Sequence, residues 1–356
     1  MLIFEIGPNG SFTVSFDPNW IEFLSKRFGG KLADPSLNYS TAHSAAAYPA
    51  MSGNLIAMHC GSRRMEAPYV CLVDYRDSEI ASLGSFRNVG RYVLPGELAL
   101  LREAEVKRRE AKGKLMKRDQ PAVRIADLRV NENRSITFDL QDATYYDQVG
   151  SNLSADAILP ATLGVDTAKA ATARDWDKLQ AGVQGNLPAY SASRLANTIG
   201  VAIGIRTKDS SGRPAIVVRK RGPNVDVYPN MWHLPFSFAL SYTPPMPPSG
   251  TIDALINFDY AHELLQETGL EPNEVRGIRP LILARDLVRA GKPQFFLEME
   301  TSLSFSELNK RMRKHDSNEY KGSSRLVLIG EVPDFLEDDG SPELLAYMCL
   351  CVGSTQ

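Results

Sequence analysis

Residues 253–270, DALINFDYAHELLQETGL, limit the possible folds of this chain more than any other stretch. On a 3.6-residue period Leu255, Phe258, Ala261, Leu264 and Leu265 form a broad apolar stripe, and Asp259, His262, Glu263, Gln266 and Glu267 share the other face. Gly269 stands where a helix ends best on a left-handed residue, and Pro272 prevents continuation. The spacing predicts a helix with one face for a core and one acidic face.

The rest of the composition is that of an ordinary globular chain. With 356 residues, 43% hydrophobic and 23% charged, there is room for two or more domains. A formal net charge of −2 gives no global nucleic-acid or membrane signal. Cys60, Cys71, Cys349 and Cys351 have no zinc-type spacing and read as reduced core thiols of a cytoplasmic protein. MLIFEIGPNG lacks a signal-peptide pattern, and no apolar run approaches the roughly 18 residues of a membrane span.

Residues 1–150 read as an α/β region of unassigned role. MLIFEI and SFTVSF predict a hairpin, NWIEFLSKRF a helix after Pro18, and YVCLVDY a buried strand. Pro95–Arg118 predicts one long helix, whose part from Arg102 to Arg118 holds eight basic and three acidic residues, a local charge of +5. That helix reads as a solvated or domain-bridging element before a nucleic-acid one, because no aromatic residues interleave it. AVRIADLRV and SITFDLQ predict a second hairpin, and DATYYDQVG the start of a helix. Residues 151–190 read as a connecting segment of helix and loop.

From residue 191 onward, NTIGVAIGIRT and PAIVVRKR predict a hairpin across KDSSGR, and VYPNMWHLPFSFAL a short strand around Trp232 and His233. The insert SYTPPMPPSG, with four prolines, predicts a stiff surface loop. After the central helix, GIRPLILARDLV and KPQFFLEMET predict strands, with Glu298 and Glu300 on one face of the second. FSELNKRMRKHD predicts a helix, RLVLIGEV a strand, and SPELLAYMCLC a last helix that begins at Ser341-Pro342.

HELLQETGL resembles the second half of the box of Nudix hydrolases, G-x5-E-x7-R-E-U-x-E-E-x-G-U with U aliphatic. Glu263, Leu264, Glu267, Gly269 and Leu270 agree with it. His262 stands for the Arg, Gln266 for the first Glu of the pair, Ala254 for the upstream Glu and Pro248 for the first Gly. The resemblance implies an α/β/α sandwich with a mixed sheet over residues 191–356. It also implies Mg²⁺ (or Mn²⁺) held by Glu263 and Glu267, with the Gln266 carbonyl assisting. Two glutamates one helical turn apart repel by roughly 0.2–0.5 kcal/mol, which a cation relieves.

By the same resemblance Glu298 or Glu300 is the candidate base, and Arg219, Arg221, Trp232 and His262 are candidates for the substrate. The implied activity is metal-dependent hydrolysis of a nucleoside diphosphate linked to another moiety. The four departures open an alternative: a catalytically degenerate nucleotide-binding sensor or protein-interaction module, with a homo-oligomer or protein partner engaged through the N-terminal region.

Overall fold

The computed structural model describes residues 2–6, 12–16, 37, 39–60, 63–76, 82–114, 118–132, 134–159, 171–242, 245–315 and 320–352. Strands β1 (Leu2–Ile6) and β2 (Phe12–Phe16) pair antiparallel as expected. The helix expected over NWIEFLSKRF lies outside the described residues. Helix α1 (Thr41–Ala47) leads to β3 (Leu55–Cys60), β4 (Arg63–Asp74) and β5 (Ser85–Arg91). Helix α2 (Gly96–Ala111), β6 (Pro121–Val130), β7 (Ile136–Thr144), α3 (Tyr145–Val149) and α4 (Ala173–Gln180) complete the first half.

The second half opens with β8 (Gly200–Lys208), β9 (Pro214–Arg221), β10 (Trp232–His233), β11 (Phe236–Ala239) and β12 (Ser249–Thr251). The box helix α5 (Ile252–Thr268) follows, then β13 (Val275–Asp286) and β14 (Lys292–Thr301). Helix α6 (Phe305–Lys314), β15 (Tyr320–Leu328), α7 (Phe335–Asp338) and α8 (Pro342–Val352) end it.

One large mixed sheet carries the architecture. Its order is β10-β9-β8-β14-β13-β4-β3, with β11 also on β8 and β15 on β9. The β14–β8 pair is parallel, and the other pairs of this sheet are antiparallel. Side chains alternate along β14 as strand geometry requires. Phe295, Leu297 and Met299 pack with α5 and α6 residues Leu255, Tyr260, Leu264 and Leu308. Phe296 packs on the opposite side with Leu344, Tyr347 and Leu350 of α8. Helices therefore cover both faces, which is the expected α/β/α layering.

Strands from both halves of the sequence share the sheets. Tyr69–Asp74 of β4 pair with Ile282–Asp286 of β13, and Ser249–Thr251, just ahead of α5, pair with Ser85–Arg87 of β5. The second sheet has the order β12-β5-β7-β6 and lies over the α5 side, where Phe138, Leu140 and Ile125 join the same core as Phe295. Arg109 of α2, which is buried, forms an ion pair with Asp226, so the N-terminal helix is fastened to the loop ahead of β10.

Four local expectations change. Helix α2 ends at Ala111 and not Arg118, with Gly113 at φ +64° just beyond it. Met246 in the prolyl insert is buried in the core, so the insert is pinned and not wholly a surface loop. Cys71 is exposed, whereas Cys349 is buried.

Most consequentially, α5 is rotated about its axis. The row Ile252, Ile256, Tyr260, Leu264 and Thr268, each four residues apart, is buried, while Phe258 and Leu265 are 53% and 44% exposed. Leu255 and Leu264 of the expected stripe stay buried, so the core face is turned toward the i+4 row that shares Leu264. Burying each of its large apolar side chains is worth roughly 1.5–3 kcal/mol.

Candidate functional site

The rotation of α5 turns its two glutamates toward the sheet. Glu267 is buried, Glu263 is half-buried, and His262 and Gln266 are exposed. The helix is well bounded. Thr251 Oγ1 accepts from the Ala254 N–H at its start, and Gly269 at φ +70° donates to the Leu265 carbonyl at its end. Its last turn has no basic residue of its own. Arg219 of β9 fills that role, its Nη1 donating to the Glu267 carbonyl at 2.8 Å.

Arg219 and Arg221 both stand on the α5 side of β9, sharing the parity of Val217. Both are buried, with guanidinium carbons 4.4 and 5.5 Å from the ring centroid of Tyr320. The Tyr320 hydroxyl in turn donates to the Leu234 carbonyl at 2.9 Å. Two cations thus meet on the Tyr320 ring between β9 and β15, and Arg219 reaches the end of α5.

Glu298 is elsewhere. It shares the parity of Phe296 and faces α8, on the opposite side of the sheet from α5. There it is 4% exposed and accepts from Arg206 Nη1 at 3.1 Å, Arg279 Nη2 at 2.5 Å and the Tyr347 hydroxyl at 3.0 Å. Glu300, two residues on, is exposed. Trp232 is buried on the α8 side against Phe335, with Arg325 over its ring at 4.5 Å. The structure brings Arg219 and Arg221 together at Tyr320 and joins Arg219 to the backbone of Glu267, and it leaves Glu298, Glu300 and Trp232 outside that group.

This donor set does not fit the implied Mg²⁺ or Mn²⁺ centre. Among the described residues no three or more His, Cys, Asp or Glu side chains converge on a common point. Gln266 faces solvent, Glu298 is spent on two arginines and a tyrosine, and the Arg219 guanidinium already sits at the end of α5. A hard divalent cation needs converging oxygens free of such competitors.

A second polar cluster was not signalled by the sequence. In the turn between β13 and β14, Arg289 bridges Asp286 and Glu343, the latter at 2.5 Å. The Tyr69 hydroxyl donates to Asp286 at 3.0 Å, and His233 Nδ1 lies 2.7 Å from the Ser341 hydroxyl. His233 Nε2 lies 3.3 Å from Glu343, but burial and the nearby Arg221 and Arg289 hold the imidazole neutral, its pKa well below the usual value. Burial likewise lowers Lys292 to about 7. These groups are buried to the last few per cent and tie the start of α8 to the sheet. Their only trace in the sequence is charge density in ARDLVRAGK, which also suits an exposed turn.

No protein-family model matches the chain, and no curated protein matches it. Solved structures do. A Nudix hydrolase from M. smegmatis, RenU, is 12% identical over 42% of this chain and 80% of its own, at a TM-score of 0.25. The C. elegans Ap4A hydrolase is 11% identical over 44% and 98%, at 0.26. The NUDIX domain of Shewanella oneidensis NrtR, solved with ADP ribose, is 13% identical over 44% and 88%, at 0.27. Likeness of this degree carries no argument about activity or ligand. No helix among the described residues is long and apolar enough to cross a membrane.

Proposed function

We propose that this chain is a Nudix-like binding module without metal-dependent turnover, in which residues 191–356 supply the box helix and the N-terminal strands complete its sheet. One observation carries the reading: the acidic residues that hydrolysis would use are divided by the sheet. Glu263 and Glu267 stand on the α5 side, and Glu298 stands on the α8 side, bonded to Arg206, Arg279 and Tyr347. A base so placed and so paired cannot reach a water held at α5.

The ligand class follows from the resemblance of the box: a nucleoside diphosphate derivative. His262, Leu265 and Gln266 are the box side chains that face solvent, with Glu263 half-buried, so a ligand at α5 meets these first. Arg219 acts from beneath, fixing the end of α5. ADP-ribose titrated in EDTA, with its cleavage to AMP and ribose 5-phosphate followed by chromatography in Mg²⁺ on the same protein, tests this. Binding that is unchanged by Glu267→Ala and weakened by His262→Ala, with no AMP formed, is expected. Formation of AMP that disappears in Glu263→Ala plus Glu267→Ala would restore the hydrolase.

A further inference from the structure

We infer a separate anion-binding site in the N-terminal half, in a cleft of about 380 Å³ between the end of β5, helix α2 and the start of α3. The volume lies within the roughly 300–1,000 Å³ of small-molecule sites. Arg91 and Arg102 both line it, as do Asp119 and Asp147. The four charges sum to zero, but the accessible hydrogen-bond donors outnumber the accessible acceptors. Asp147 is buried and fully occupied, accepting from Arg102 Nη1 at 3.1 Å through one oxygen and from the Thr144 N–H at 3.0 Å through the other.

Asp119 uses one oxygen on the Tyr146 N–H at 2.8 Å, leaving its second as an acceptor in the exposed rim. Arg102 spends one nitrogen on Asp147 and is 35% exposed. Arg91 is exposed, and its guanidinium, unlike its backbone, which pairs with Asp142, has no hydrogen-bond or ion-pair partner among the described residues. Two guanidiniums therefore present unused donors to a single cleft, an arrangement suited to the oxygens of a phosphate. The remaining Asp119 oxygen suits a hydroxyl beyond it, and Val93, 80% exposed on the rim, gives the body of the ligand an apolar contact. The ligand class is a phosphate monoester of a small hydroxylated ring, such as a sugar phosphate. The cleft shares no lining residue with the box, so it stands or falls independently of the reading above.

Calorimetric titration with ribose 5-phosphate, inorganic phosphate and ribose tests it. Saturable binding of ribose 5-phosphate to the wild type is expected, weaker binding of phosphate, and none of ribose. Arg91→Ala, at an exposed position, should weaken binding about tenfold or more, the loss of one charge-assisted contact. Val93→Trp should weaken it by filling the rim, and Glu263→Ala should leave it unchanged. No saturation by ribose 5-phosphate, or equal affinity in wild type and Arg91→Ala with both folded by circular dichroism, would overturn the site.

Discussion

The Tyr347 hydroxyl reaches Glu298 Oε2 at 3.0 Å across a strand position that has no side chain. Gly204 on β8 lies opposite Glu298 in the parallel register, and a Cβ there would meet Tyr347 Cζ at 2.0 Å and its oxygen at 2.2 Å. The glycine is what allows a tyrosine from α8 to lie flat against the sheet and help hold a buried carboxylate.

Gly204→Ala is accordingly expected to cost about 1–3 kcal/mol through overpacking, because the fully buried Tyr347 must move. Tyr347→Phe should cost about 1–2 kcal/mol through the lost hydrogen bond. In the double variant the losses should fall short of their sum, since both act on one contact. Urea unfolding of the four proteins measures this, and strictly additive losses would show that the two positions act separately.

Arg219→Met distinguishes a residue that fastens α5 from one that waits for a ligand. Removing the guanidinium takes a donor from the Glu267 carbonyl and a cation from the Tyr320 face. Stability should drop by about 1–3 kcal/mol, and amide exchange in the last turn of α5 should quicken. Unchanged stability with weakened nucleotide binding would instead assign Arg219 to the ligand.

Gly269 ends α5 at φ +70°, and a Cβ there also lies 2.7 Å from His315 Cδ2. Gly269→Ala is expected to cost about 1–2 kcal/mol, with Gly269→Asn costing less. Both variants meet His315 alike, so their difference in thermal unfolding reads the backbone preference. Equal losses would assign the whole effect to His315.

Lys292 gives a pH dependence with a defined sign. Its folded value is lowered to about 7 from 10.5, so between these values the unfolded chain binds the proton more tightly. Stability contributed by the neutral amine is present above pH 10.5 and is lost as pH falls toward 7. The slope of unfolding free energy in that window should be smaller in Lys292→Met than in wild type, by up to about 1.4 kcal/mol per pH unit. Parallel curves would show that Lys292 keeps an ordinary affinity for its proton.

The elements of the second half were legible because each carries a local signal. The β8–β9 hairpin, Gly269 and Pro342 at the start of α8 stand where turn and cap chemistry put them. The orientation of α5 was not legible. Two apolar rows compete on that helix, and only the sheet selects Ile252, Ile256 and Tyr260 over Phe258 and Leu265. Glu298 and Glu300 alternate correctly along β14, but periodicity names no face, and the face decides whether Glu298 meets α5 or α8. The β4–β13 pairing likewise has no local trace in the sequence.

That last pairing sets the order in which the molecule can be made. While the chain emerges from the ribosome, β4 is complete long before Val275–Asp286 exists to cover its second edge. Through all the intervening synthesis an apolar strand edge must be kept from other chains, and that edge is covered only once Val275–Asp286 has been made. The nascent chain is in this respect at its most vulnerable just before β13 appears.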